Sequence, residues 1–276
     1  MLALRSIVHP TDFSEGSADA FAHALRIALT AKCRLKLLHV ATGNDARDWM
    51  DFPQVRTALV NWGMLDEGEP QASVADRLGL RIEMIELTPQ SAVAGIQKHL
   101  DRHPASLIVL NTEGREGASR WLHGSVAEAV TRHAHTPALF VPNGARGFVD
   151  QRRGEVHLKR VLIPVDHDPK PAAAVGSIMG FAHLMAGVDV EERLLHVGRT
   201  PPQIRFRAGR RLPVPVALRG GNPVESIIEA AQDWQPDLIG MPTAGHRGFL
   251  DALRGSTTER VIRQAPCPVL AVPAEP

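Results

Sequence analysis

The chain repeats itself, and no other property restricts its fold so tightly. His123-Gly124-Ser125-Val126-Ala127-Glu128-Ala129-Val130 reads against Arg254-Gly255-Ser256-Thr257-Thr258-Glu259-Arg260-Val261, an offset of 131 positions. The same offset carries Thr136-Pro137-Ala138-Leu139-Phe140-Val141-Pro142 onto Cys267-Pro268-Val269-Leu270-Ala271-Val272-Pro273, and Gly114 onto Gly245. Upstream, Leu37-Leu38-His39-Val40 recurs as Leu194-Leu195-His196-Val197, and Pro10 and Asp12 recur as Pro164 and Asp166. The order of the segments is preserved. A chain of 276 residues is therefore two copies of one unit, each large enough to bury a core of its own.

The repeat gives a first domain over 1–145, a linker over 146–158 and a second domain over 159–276. Asn143 to His157 is rich in Gly, Arg and Gln and reads as a flexible polar connection, where a protease should cut first. From Val40 to Gly114 is 74 positions, and from Val197 to Gly245 is 48, so the second copy is shorter by 26 after its second strand. In the first copy that segment carries Trp49, Phe52, Val55, Leu59, Trp62 and Leu65 at helical spacing. The second copy has Pro201, Pro202, Pro213 and Pro215 there, which predicts a loop.

Within each copy, short apolar runs alternate with helical periodicity. Ser14–Thr30 places Phe21, Leu25, Ala28 and Leu29 on one face, with Ser14 as a helix cap. Leu35–Val40, Ile82–Leu87, Leu107–Leu110 and Ala138–Val141 read as strands, and Ser91–Leu100 and Val126–His133 as helices. The second half repeats this, with strands near 160–165, 190–197, 214–218, 237–241 and 268–272. Alternation of this kind predicts an α/β fold with a parallel sheet covered on both faces.

Each copy has a Gly, nine residues, then Gly-Ser opening a helix: Gly114 with Gly124-Ser125, and Gly245 with Gly255-Ser256. Glycines let backbone N–H groups approach an anion, and a helix entry attracts negative charge. Asp12 and Asp166 fall just after the first strand of each copy, at the sheet edge where such folds bind ligands. A simpler account exists. Ser125 with Glu128 and Ser256 with Glu259 are capping boxes, which explain the Ser and Glu without any ligand. The bare pattern leaves both open.

Pro10-Thr11-Asp12-Phe13-Ser14, the Leu-Leu-His-Val strands, the Gly-x9-Gly-Ser loops and Ala265-Pro266-Cys267-Pro268-Val269-Leu270-Ala271-Val272 together resemble the universal stress protein family over nearly the whole chain. The resemblance implies two tandem doubly wound five-stranded parallel-sheet domains of adenine-nucleotide-hydrolase-like (Rossmann-like) layout, packed as an internal pseudo-dimer. It implies a stress-response regulatory module, and ATP or another adenine nucleotide as its ligand. By position, Asp12 and Asp166 match the nucleoside-contacting Asp, and Val40 and Val197 the strand residue whose backbone meets adenine. Gly114, Gly124, Ser125, Gly245, Gly255 and Ser256 match the phosphate contacts. Family members that bind ATP carry Gly-x-x-Gly-x9-Gly-Ser/Thr; here Asn111 and Pro242 stand at the first glycine, and Pro has no N–H to donate. The alternative is a non-nucleotide-binding scaffold of the same fold, and a slow ATP hydrolase ranks third for want of a general base. Residues 112–125, with Glu113, Arg115, Glu116 and Arg120, carry no net charge; residues 243–256, with Arg247, Asp251 and Arg254, carry one positive charge, which favours nucleotide in the second copy.

Composition excludes other classes. A net charge of +1 leaves no footprint for nucleic acid, and the four Trp, with no Tyr, form no base-stacking strip. The Arg-rich stretch from Arg205 to Arg211 reads as a solvated loop. No run of about 18 apolar residues predicts a membrane span. Cys33 and Cys267 are not in metal or disulfide spacing and read as buried inert thiols, consistent with a reducing cytoplasm. The thirteen His show no ligand spacing, so no metal is expected. Expected partners are the two domains with each other and an unidentified protein; pairing of whole chains into a homodimer is left open.

Overall fold

The computed structural model describes residues 3–11, 15–40, 54–70, 72–87, 92–112, 136–187, 189–204, 214–244 and 257–274. In the first copy the elements are β1 (Ser6–Thr11), α1 (Glu15–Ala31), β2 (Arg34–Val40), α2 (Val55–Asn61), α3 (Ala72–Leu78), β3 (Arg81–Leu87), α4 (Ala92–Arg102), β4 (Leu107–Thr112) and β5 (Ala138–Pro142). The second copy has β6 (Arg160–Pro164), α5 (Ala172–Ala186), β7 (Glu191–Val197), β8 (Val216–Arg219), α6 (Pro223–Trp234), β9 (Leu238–Thr243), α7 (Thr257–Gln264) and β10 (Val269–Pro273).

Each copy forms five parallel strands, and the two sets join into one ten-stranded sheet of order β3-β2-β1-β4-β5-β10-β9-β6-β7-β8. The join is antiparallel, with Leu139 opposite Leu270. Every residue of β5 is buried. In an isolated copy β5 and β10 would each be a bare apolar edge, which invites aggregation; pairing them removes both edges. Successive strand residues alternate between the two faces. Ile7, Val109, Leu139, Ile163 and Leu270 join one core with α1 and α5, and Val8, Ile108, Phe140, Leu162 and Val269 join another with α4, α6 and α7. Both cores run across the boundary between copies. The fold is thus the expected internal pseudo-dimer of doubly wound domains.

The helical spacing of the first copy's longer segment is realised in α2, and a second short helix, α3, follows it; Val55, Leu59, Trp62 and Leu65 are buried, while Trp49 and Phe52 lie outside the described residues. One expectation needs correction. The connection from Asn143 to His157 is not a loose linker. Phe148 is fully buried, Val149 bridges to Val156, and Trp62 Nε1 donates to the Gln151 carbonyl at 3.0 Å. A Cβ at Gly154, where φ is +66°, would lie 2.3 Å from the Trp62 ring, so the turn needs glycine for both conformation and space. Its tip, Gln151, Arg152 and Arg153, is exposed, as are Asn143, Gly144, Arg146, Glu155 and His157 on either side, and Asp150 Oδ1 accepts from the backbone N–H of Arg152 and of Arg153 at 2.8 Å. A segment polar in composition is therefore pinned by its few apolar members.

Both thiols are buried, and burial raises the pKa of each, Cys33 to about 11. Helix α6 shows a local stop-and-start signal at work. Asn222 Oδ1 accepts from Val224 N at 2.9 Å and Glu225 N at 3.5 Å, and Pro223 begins the helix where no N–H is needed. Asn222→Ala should cost about 1 kcal/mol in a urea unfolding experiment.

Candidate functional site

In an open doubly wound sheet the strands end together, and the crevice outside their carboxyl ends is where ligands bind. In the second copy that crevice is a cleft of about 250 Å³. Its floor is Pro164, which ends β6, and Val165 after it, with Leu195 and Val197 of β7 and Met241, Pro242 and Thr243 of β9. The first turn of α6 brings Pro223, and the first turn of α7 brings Thr257 and Thr258. Asp166 and Asp168 stand at the mouth, both exposed.

Thr243 is 5% exposed, and its hydroxyl has no hydrogen-bond partner among the described residues. A buried hydroxyl without a partner costs about 1–3 kcal/mol. Thr112, its counterpart 131 positions earlier, is also buried, and its hydroxyl has no partner among the described residues. Among the described residues, the same unpartnered hydroxyl thus recurs at the end of the fourth strand of both copies.

Among the residues matched by position, the cleft brings together Asp166 and Val197. Val40 ends β2 in the first copy, opposite Leu87 of β3. Asp12, Gly114, Gly124, Ser125, Gly245, Gly255 and Ser256 lie outside the described residues, as do Ser14, the Val126–His133 helix and Arg205 to Arg211. Asn111 and Pro242 are strand residues, opposite Val141 and Val272.

The fold also gathers residues whose sequence spacing gave no sign. Strand register places Pro164 opposite Leu195, so Val165 and Asp166 emerge beside His196. His196 Nδ1–H donates to the Val165 carbonyl at 3.0 Å, and its ring lies 5.2 Å from that of His167. Asp166, His167 and His196 each offer a ligand atom, all within 4.8 Å of one another. These histidines have no ligand spacing in the sequence, and the fold brings two of them beside one carboxylate. The signal was present only as two motifs 30 residues apart that a parallel strand pair aligns.

The family model described as "Universal stress protein family" matches residues 3–142 and 203–273, that is, in both copies. The chain belongs to the universal stress protein family. Among universal stress proteins, one of Methanocaldococcus jannaschii is 31% identical over 144 residues, covering 50% of this chain and 81% of that protein. One of Mycobacterium tuberculosis is 22% identical over 93% of this chain and 94% of its own length, so the tandem length is shared. The solved universal stress protein of Archaeoglobus fulgidus superposes with a TM-score of 0.62 at 20% identity, covering 97% of this chain and 96% of that one. A universal stress protein structure from Pseudomonas aeruginosa gives 0.62 at 16% identity, with 99% and 94% covered. These likenesses show the fold. Among the described residues no helix is long and apolar enough to cross a membrane.

Proposed function

We propose that this tandem universal stress protein is a regulatory binding module whose second copy holds an adenine nucleotide, with working domains of 1–145 and 159–276. The observation that carries the reading is the cleft at the carboxyl ends of β6, β7 and β9, floored by the unpartnered Thr243 hydroxyl. A nucleoside offers ribose hydroxyls and an exocyclic amine, which a carboxylate such as Asp166 accepts. Val197, closing β7, offers backbone edges to a base. The loop from Gly245 to Gly255-Ser256 would receive phosphates on its N–H groups, and its single positive net charge supports this copy over the first. Binding and conformational signalling are the activity in this reading; turnover has no assigned base.

Pro242 favours a second reading, in which the fold serves as an interaction scaffold without nucleotide, because the first position of the family's glycine motif here has no N–H to donate. Denaturing the purified protein and chromatographing the supernatant separates the two. Release of adenine nucleotide, in a ratio approaching one per chain, is expected; a supernatant free of nucleotide, with no uptake of added ATP, would favour the scaffold.

A smaller prediction belongs to the same floor. Thr243→Val removes a hydroxyl that has no partner, so it should leave stability unchanged or slightly raised. If the hydroxyl serves the ligand, affinity falls about 5–10-fold, as for one hydrogen bond of ~1 kcal/mol. Calorimetry and urea unfolding on the same variant read both effects.

A further inference from the structure

We propose that the second copy carries a site for one divalent transition-metal ion, held by Asp166, His167 and His196. Their ligand atoms already lie within 4.8 Å of one another. A tetrahedral ion with bonds of about 2.0–2.2 Å sets its donors roughly 3.5 Å apart. Asp166 and His167 are exposed and can swing inward by that difference, while the buried His196 is the fixed point.

The second nitrogens support the assignment. A metal-ligating His commonly donates its other ring N–H to a carbonyl, which fixes the tautomer and aims the free lone pair. His196 Nδ1–H donates to the Val165 carbonyl at 3.0 Å and lies 3.8 Å from Asp166 Oδ1, so Nε2 is the nitrogen left to ligate and the exposed Asp166 side chain must rotate from the Nδ1 edge of the ring to meet it. His167 Nε2–H donates to the Thr200 carbonyl at 3.0 Å, which leaves Nδ1. Asp166 Oδ1 accepts from His167 N at 2.7 Å, so the carboxylate is held beside the rings. A Cβ at position 198 would lie 2.4 Å from His196 Nε2, so Gly198 keeps that nitrogen clear of a side chain.

The first copy supplies an internal control. His39 makes the same bond to its strand neighbour, Nδ1 to the Thr11 carbonyl at 3.0 Å, so that bond by itself fastens β2 to β1 and needs no metal. The sequence of the first copy has Phe13 where His167 stands and Ala41 where Gly198 stands. The second ligand and the space are additions of the second copy. Two imidazoles and a carboxylate suit Zn²⁺, Co²⁺, Ni²⁺ or Cu²⁺, whereas Mg²⁺ and Ca²⁺ prefer oxygen throughout. The proposal does not rest on nucleotide binding, although Asp166 borders the cleft as well.

The test uses untagged, chelator-stripped full-length protein, titrated with Zn²⁺ by calorimetry and with Co²⁺ by visible absorption. One equivalent should bind, with cobalt d–d bands typical of nitrogen and oxygen donors. His167→Phe, which installs the first copy's residue at an exposed position, should weaken binding by at least ~10–100-fold and erase the bands. Asp166→Asn keeps an acceptor for His167 N and should also weaken binding, which guards against a misfolded His167→Phe. The absence of binding to the wild-type chain would overturn the proposal. Binding that survives both substitutions unchanged would do the same, because it would place the metal on other histidines.

Discussion

Asp237→Ala should destabilise the protein by about 2–4 kcal/mol, because two charge-assisted backbone bonds are lost at once. Asp237 is 3% exposed, just ahead of β9. Its Oδ2 accepts from Lys159 N at 2.8 Å and Arg160 N at 3.0 Å, the two N–H groups that open β6. Its Oδ1 accepts from Arg146 at 2.8 Å, but the Arg146 side chain is 61% exposed, so this ion pair adds little. The first copy has the same joint with a different residue. Ser106, 131 positions earlier, accepts from Arg5 N at 3.1 Å and Ser6 N at 3.4 Å through its hydroxyl. Asp237→Ser should therefore cost less than half as much as Asp237→Ala. Urea midpoints for the three proteins measure this. Equal losses for Ser and Ala would mean that the charge, and not the acceptor, closes the joint.

Acidification should loosen the seam between the copies through His23. This side chain is fully buried in α1. Its Nδ1–H donates to the Asp19 carbonyl at 2.7 Å, and its Nε2 accepts from Phe148 N at 3.1 Å and Val149 N at 3.3 Å. Phe148 packs edge-on to the His23 ring at 4.5 Å and reaches Phe181 of α5 at 6.3 Å, so the connection between copies hangs on a neutral imidazole. Burial lowers its pKa from 6.5 to about 4. Between those values the unfolded chain binds a proton that the folded one refuses, so stability is full above about pH 6.5 and falls as pH drops toward 4. The loss approaches ~3 kcal/mol across the window, at about 1.4 kcal/mol per pH unit. His99, also lowered by burial, adds in the same direction, whereas Asp19 and Glu192, raised by burial, act in the opposite one. Subtracting the pH profile of His23→Gln isolates the imidazole. Parallel profiles for the two proteins would remove His23 as the cause.

The strands were legible because short apolar runs alternate with helical periodicity and recur in the second copy, and β2, β3, β4 and β5 fall where the pattern put them. The helical face of Phe21, Leu25, Ala28 and Leu29 is buried as its spacing required. What composition concealed was the packed connection. Between Asn143 and His157 the buried Phe148 and Val149 pin a polar stretch, and the residues that hold it, His23 and Phe181 at that pair and Trp62 at Gln151, are distant in sequence. Asp166 was legible from its place after the first strand and Val197 through the family resemblance, and both line the cleft. Thr243 was not, because an unpartnered hydroxyl is a property of the packed site and not of the sequence. The neighbourhood of His167 and His196 stayed hidden for the same reason: strand register, rather than spacing, creates it.

Nucleotide in the second copy's cleft, as proposed, has a direct consequence for ATP binding by single-residue variants. Calorimetric titration of ATP into the wild-type chain, Thr112→Val and Thr243→Val tests it most directly. The account expects one site per chain, with affinity kept in Thr112→Val and reduced about 5–10-fold in Thr243→Val. Loss confined to Thr112→Val would move the ligand to the first copy, and no heat of binding in the wild-type chain, when it is also free of co-purified nucleotide, would contradict the claim.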